Sequence, residues 1–251
     1  MARADIQAIS RGNLFSLANK SVNTINTDKR LPALILTDTS GSMEPHEALL
    51  KRSVEDLYDK LLDDDRSRSA AELAVMTFNS DIEILESMRE IALQESRGRN
   101  LNFRCAGPTL TGLAVKAALL HIKDRINTYK SQVPKIKYYP PIMFILSDGR
   151  PYCSDPSIKA QDDEALKESL SIIANEVASN NLVVVAVEIG DHCNHDLMRR
   201  LTGLNDDRHV MKVNDGTELK KFFEITSSII IKSSRSGTKK YNDMSVDDII
   251  G

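Results

Sequence analysis

Short apolar runs alternate along this chain with longer stretches in which apolar residues recur every three or four positions. Leu31-Pro-Ala-Leu-Ile-Leu-Thr37, Glu72-Leu-Ala-Val-Met-Thr-Phe-Asn79, Ile142-Met-Phe-Ile-Leu146 and Leu182-Val-Val-Val-Ala-Val-Glu-Ile189 are the longer runs. Their near-continuous apolar character predicts strands buried on both faces, and 182–189, rich in β-branched residues, reads as central and parallel. Shorter strands are expected at Ile82–Leu85, an edge strand after the turn Asn79-Ser80-Asp81, and at Val210–Val213. Leu50, Val54, Leu57, Tyr58 and Leu61 keep helical spacing, and that helix should end on the surface at Asp63-Asp64-Asp65-Arg66. A helix from Leu110 to about Ile126 should turn Leu113, Ala117, Leu120 and Ile126 inward. Leu166, Leu170, Ile173 and Val177 mark another helix, and Leu219, Phe222, Phe223 and Ile229 a last one. Strands alternating with helices predict an α/β fold: a doubly wound, mostly parallel central sheet flanked by helices on both faces, with one short antiparallel edge strand.

The periodic region spans residues 30–233 and reads as one domain. Residues 1–29 are polar, with Asn-rich stretches and only a weak helical pattern around Leu14, Phe15 and Leu17; they read as an appended arm. Residues 234–251 read as a flexible tail. Asp247-Asp248 in that tail, beside Ile249 and Ile250, offers a short acidic ligand for another copy, with a frayed end as the simpler reading.

The chemistry concentrates where the predicted strands end. Asp38-Thr-Ser40-Gly-Ser42 follows the first strand and sets oxygen side chains at every second position, so that in an extended segment they face one point. Such a point suits a hard cation, which a single short loop cannot surround. Gly107-Pro108-Thr109, opening a helix, and Ser147-Asp148-Gly149, directly after the strand 142–146, are the other contributors. Loops at the carboxyl ends of parallel strands share one sheet edge, so Asp38 and Asp148 should be neighbours. Two carboxylates with neutral donors Ser40, Ser42 and Thr109 leave a divalent ion electrophilic toward an anionic oxygen. Each residue also has a plain structural role available, such as helix capping by Ser42, but those roles do not explain all five together.

Asp38-x-Ser40-x-Ser42, Thr109 and Asp148 resemble the metal-ion-dependent adhesion site of von Willebrand factor type A domains, over roughly residues 30 to 233. The chain is most similar to the bacterial, intracellular, tellurium-resistance TerY-type branch. One departure is Pro108, where the family often has a second glycine; proline stiffens the loop that carries Thr109. The resemblance implies that Ser40, Ser42 and Thr109 touch Mg2+ (or Mn2+) directly or nearly so, with Asp38 and Asp148 often acting through water. A partner's Glu or Asp would fill the open position, in an intracellular stress-response or defence complex with a kinase, phosphatase or AAA-type ATPase. The implied role is adhesive and not enzymatic.

Composition narrows the remaining choices. With 251 residues, 41% hydrophobic and 27% charged, the chain is an ordinary globular length and mix. A net charge of -3 gives no general pull toward nucleic acid, and Arg97, Arg99 and Arg104 read as a solvated loop. The amino terminus lacks a secretory h-region and no run of eighteen apolar residues exists, so a cytoplasmic, non-membrane protein is expected. Cys105, Cys153 and Cys193 lack C-x-x-C spacing, which fits a reducing compartment. With His192 and His195 they offer a soft-metal or redox site as a lesser alternative. Two competing readings remain: a metal-dependent phosphohydrolase using Asp38, and a scaffold with a vestigial site. Against the first, Ser40 stands where a haloacid-dehalogenase-type phosphatase has its second aspartate, and no Gly-rich phosphate loop is present.

Overall fold

The computed structural model describes residues 29–94, 98–99, 101–148, 151–191 and 193–235. In chain order the elements are β1 (Leu31–Asp38), α1 (Glu47–Asp63), α2 (Asp65–Ala70), β2 (Ala71–Phe78), β3 (Ile82–Glu90), α3 (Thr111–Ser131), β4 (Ile142–Ser147), α4 (Pro156–Ala178), β5 (Val183–Ile189), α5 (His195–Leu201), β6 (Val210–Val213) and α6 (Gly216–Arg235). They build one six-stranded sheet in the order β3-β2-β1-β4-β5-β6, parallel throughout except for β3 against β2. The doubly wound, mostly parallel sheet expected from the apolar runs is therefore the fold. β5 is parallel and flanked on both sides, while the middle of the sheet belongs to β1 and β4.

Strand alternation divides the core in two. Leu31, Ala33 and Ile35 of β1 pack with α1 and α6, whereas Leu34 and Leu36 pack with α3 and α4. The strand order reverses at β1, which pairs with β2 on one side and β4 on the other. The register Thr37↔Leu146 sets Asp38 and Ser147 side by side at the carboxyl edge, at the topological switch point. Among the described residues no helix is long and apolar enough to cross a membrane.

Three local expectations are corrected. In α3 the buried face is Ala114, Val115, Ala117, Ala118 and Ile122, while Leu120 is 45% exposed and Leu113 and Ile126 only half-buried. Small residues let α3 lie close to the sheet, and the polar His121, Arg125 and Tyr129 complete its inner face, so large aliphatics were a misleading guide. β3 runs past Leu85 to Glu90, because an edge strand tolerates charged side chains that break the apolar pattern. The acidic run does not simply end α1: Asp64 begins α2, its carboxylate accepting from Ser67 N at 2.8 Å.

The edge opposite the switch point holds a buried ionic network. Glu72 of β2 accepts from Arg125 Nε and Tyr129 Oη, both at 2.6 Å, and its other oxygen lies 3.7 Å from Arg30 Nε. Arg30 also donates to Glu90 at 2.7 Å and to Ser69 O at 2.6 Å. These groups tie the starts of β1 and β2 to the ends of β3 and α3. Removing one partner strands buried charge. We expect Glu72→Ala to cost about 3–5 kcal/mol, read as a lower midpoint in urea unfolding; a loss below about 1 kcal/mol would mean that the network is dispensable.

His121 solves a smaller problem at the irregular β2–β3 pairing, where its Nε2 accepts from Met88 N at 3.2 Å. That bond needs the neutral ring, and burial, reinforced by the Arg125 charge, pulls the imidazole down to about 4. A depressed folded pKa contributes stability that is complete above the unfolded value and lost as pH falls toward the folded one. The stability advantage of wild type over His121→Asn should thus shrink by about 3 kcal/mol between pH 7 and pH 4. A pH-independent difference, measured by denaturant titration, would contradict the neutral ring.

Candidate metal centre

Asp38 is the last residue of β1 and is fully buried. Its Oδ1 accepts from Ser40 N at 2.8 Å and its Oδ2 from Ser147 Oγ at 2.6 Å, so both oxygens are held in fixed directions. Burial pushes the carboxyl up to about 6, Asp148 adds to the rise, and the bonds from Ser147 and Ser40 oppose it. The protein therefore keeps at one point a carboxylate that is costly to ionise and a second one near enough to make it costlier. A bound cation removes that cost.

The hydroxyl donors are arranged by a turn and not by strand alternation. Ser40 is extended (φ -65°, ψ 169°), but Gly41 starts a 3-10 turn that runs to His46. The turn brings Ser42 Oγ to 3.1 Å from Ser40 Oγ. Neither serine caps a helix: Ser40 makes no side-chain cap bond to the turn, and His46 is the residue before α1. The capping role available to Ser42 in the sequence is absent here, and two adjacent hydroxyls suit a shared oxygen-seeking ligand.

Thr109 is brought in by backbone. Gly41 N donates to Gly107 O at 3.3 Å, Ala106 N to Thr39 O at 2.8 Å, and Thr109 pairs with Tyr152 through bonds of 2.8 and 3.1 Å. Gly107 has φ +76°, a conformation that explains glycine before the stiff Pro108. The start of α3 is fixed by Asp162 of α4, whose carboxylate accepts from Leu113 N at 2.8 Å. A β-carbon on Gly112 would lie 2.0 Å from Asp162 O, so only glycine permits this approach. Asp148 follows β4 directly, half-buried, close enough to act on Asp38. Gly149 lies outside the described residues.

The segments of Asn79 and Ser147 stood out in the sequence, but their roles, Ser147 bonding Asp38 and Asn79 bridging loops, did not. Asn79 Nδ2 donates to Thr39 O at 3.4 Å and Arg104 O at 3.3 Å, and its backbone oxygen accepts from Leu110 N at 3.2 Å. One residue thus joins the Asp38 loop, the 101–107 loop and the start of α3, the first two through its side chain and the last through its backbone. An asparagine at the end of a predicted strand was the only available signal.

Among the described residues the soft-metal alternative does not assemble. Cys105, Cys153 and Cys193 are free, and the thiols of Cys105 and Cys193 are pushed up to about 12 by burial and neighbouring carboxylates. His195 is engaged at both nitrogens, Nδ1 with Glu188 at 2.5 Å and Nε2 with Asp207 at 3.2 Å. Among the described residues no group of three or more His, Cys, Asp or Glu is placed to hold a metal. His192, Arg97 and Asp247-Asp248 lie outside them. Arg99 pairs with Asp59 at 3.2 Å and Arg104 is exposed, as a solvated loop requires.

The family model for the von Willebrand factor type A domain matches residues 34–225. The chain belongs to this family. Domains of the family are interaction modules. Among solved structures, this von Willebrand factor type A domain is similar to proximal thread matrix protein 1 from the mussel byssus, at 15% identity and TM-score 0.54, over 81% of this chain and 48% of that one. It is similar to the pilus adhesin SpaC from Lactobacillus rhamnosus GG, at 15% identity and TM-score 0.59, over 82% of this chain and 31% of that one. The SpRpn10 VWA domain aligns at 16% identity and TM-score 0.50, over 78% of this chain and 95% of that one. The chain thus spans about half the length of the mussel protein and under a third of the adhesin. A further structure of the mussel protein has a zinc-occupied metal-ion-dependent adhesion motif. No curated protein matches the chain.

The buried carboxylate yields a test that needs no partner. Asn at position 38 keeps the shape and can still bond to Ser40 N and Ser147, but carries no charge. In chelator at pH 7.5, Asp38→Asn should stabilise the protein by about 1–3 kcal/mol, and the gain should vanish near pH 4, where the native carboxyl is already protonated. Thermal unfolding with added Mg2+ should raise the midpoint of wild type only. A destabilised Asp38→Asn protein in chelator would show that the charge is compensated from within.

Proposed function

We propose that this domain binds a protein partner through a divalent cation held by Asp38, Ser40, Ser42, Thr109 and Asp148. The supporting observation is the placement of a fully buried carboxylate and two neighbouring hydroxyls, 3.1 Å apart, at the switch point of the sheet, beside Asp148 and the Thr109 turn. All donors are oxygen, which favours Mg2+ or Mn2+. When bound, such an ion supplies an open coordination position for an anionic oxygen. The partner's contribution is a Glu or Asp side chain.

The resemblance to the TerY-type branch extends the proposal to a cytoplasmic, tellurite-resistance-like stress-response or defence complex, with a kinase, phosphatase or AAA-type ATPase as the class of partner. The proposed role is adhesive: Ser147 Oγ, which donates to the Asp38 carboxylate, is fully buried, and both nitrogens of His195 lie against carboxylates.

Affinity purification from the native host tests the reading. Partners captured with Mg2+ should be lost in chelator and with Asp38→Ala, a buried charged ligand whose removal abolishes metal binding. Equal capture in all samples would move the binding surface elsewhere. Metal-dependent turnover of a phosphate ester, abolished by Asp38→Asn, would replace adhesion by hydrolysis.

A further inference from the structure

Between α3 and α4 lies an open groove of about 770 Å³. It is separate from the metal centre: Pro141 and Leu182, which line one end, directly precede β4 and β5, so that end lies at the amino edge of the sheet. Leu120 of α3 and Ile172 of α4 line the groove and are each 45% exposed, although both are large aliphatic residues on packed helices. Leu119 and Ile126 lie half-buried beside them. Contiguous apolar surface in a concave setting marks an interaction site, and a groove between two helices takes a third amphipathic one.

The charges along the groove say what chemistry covers it. Lys116, Lys123 and Lys130 line the α3 side and recur every seven residues, hence on one face of that helix. On the α4 side the lining carries Glu176. Lys116 is held by Glu168 at 2.5 Å, and Lys123 acts on Asp124 at the next position of its own helix. Both Lys123 and Lys130 are exposed, and neither forms an ion pair among the described residues. One wall is therefore basic, on a chain whose net charge is -3. The lysine row spans about 21 Å of α3, which is about four turns of a helix laid along it. Phosphate contacts alone, as from nucleic acid, would use the lysines but leave Leu120 and Ile172 wet.

We propose that the α3–α4 groove binds an acidic amphipathic helix of a partner protein, whose apolar stripe covers Leu120 and Ile172 and whose Asp or Glu residues, seven apart, face Lys123 and Lys130. Apolar contact supplies the affinity, and the charges fix register and orientation. Glu176 on the opposite wall disfavours acids on that flank, so the partner's charge is one-sided. The groove needs no cation, and this inference and the metal-mediated reading stand or fall separately.

Peptide selection on the full chain tests this. The probe is a displayed library of peptides about 16 residues long, with leucine fixed at helical spacing and the other positions randomised. Peptides selected on wild type should carry Asp or Glu seven apart. They should bind at least about tenfold more weakly to Leu120→Asp/Ile172→Asp and to Lys123→Glu/Lys130→Glu, and more weakly as salt rises, with no effect of chelator. Selection on Lys123→Glu/Lys130→Glu should return Lys or Arg at those positions instead. The two lysines are exposed, so this variant keeps its fold even where the aspartate pair does not, and an unchanged urea midpoint checks it. Failure to select any peptide, selected peptides without acidic bias, or binding that survives both variants would overturn the proposal. A short DNA duplex that binds through the same lysines more tightly than the peptides would assign the row to phosphates and overturn it as well. So would a dimer of the full chain that the groove variants dissociate, which would assign the face to a second copy.

Discussion

Everything at the functional edge follows from placing a carboxylate where water cannot reach it. Asp38 ends β1, the strand at which the sheet's order reverses, and parallel pairing with β4 sets Ser147 against it. A buried anion with two hydrogen bonds and a second acid nearby is an unfavourable arrangement unless a positive charge joins it. The opposite edge shows how the same sheet handles buried acids when no ligand is intended. There Glu72 and Glu90 meet Arg30 and Arg125 within the fold. One edge is neutralised by the chain; in the proposed function a cation neutralises the other.

Such a site works only if its loops are held apart from its ligand. Asn79 clamps three segments through its amide and backbone, and Asp162 fixes the first turn of α3 through Leu113 N. These contacts belong to the scaffold and leave the hydroxyls of Ser40 and Ser42 facing one another. Preorganisation of this kind would lower the ordering cost of binding the proposed cation and partner carboxylate.

The strands were legible because buried parallel strands are nearly all apolar, a signal that needs no knowledge of partners. The five candidate site residues stood out for a related reason: each lies at or just after a strand end or at a helix start, where an α/β sheet gathers its ligand loops. What stayed hidden depends on register. The Ser147–Asp38 bond joins residues 109 apart, and Glu72–Arg125 joins residues 53 apart, so neither leaves a local pattern. The inner face of α3 misled for a physical reason as well. Close helix–sheet packing favours alanine and valine, and buried polar groups with partners then complete the face, so Leu120 points outward into the groove. Ser42 was placed with the right neighbours by an argument from strand alternation, whereas a 3-10 turn does the placing.

The cysteines near the site complete the electrostatic argument. Cys105 feels Glu47, Asp38 and Glu44, and Cys193 feels Glu188 and Asp148; with burial, these charges hold both thiols protonated near 12. A thiol becomes a soft-metal ligand only as thiolate, in an electropositive setting. Without a cation at this edge, burial and the acids around Asp38 therefore oppose thiolate formation at Cys105 and Cys193.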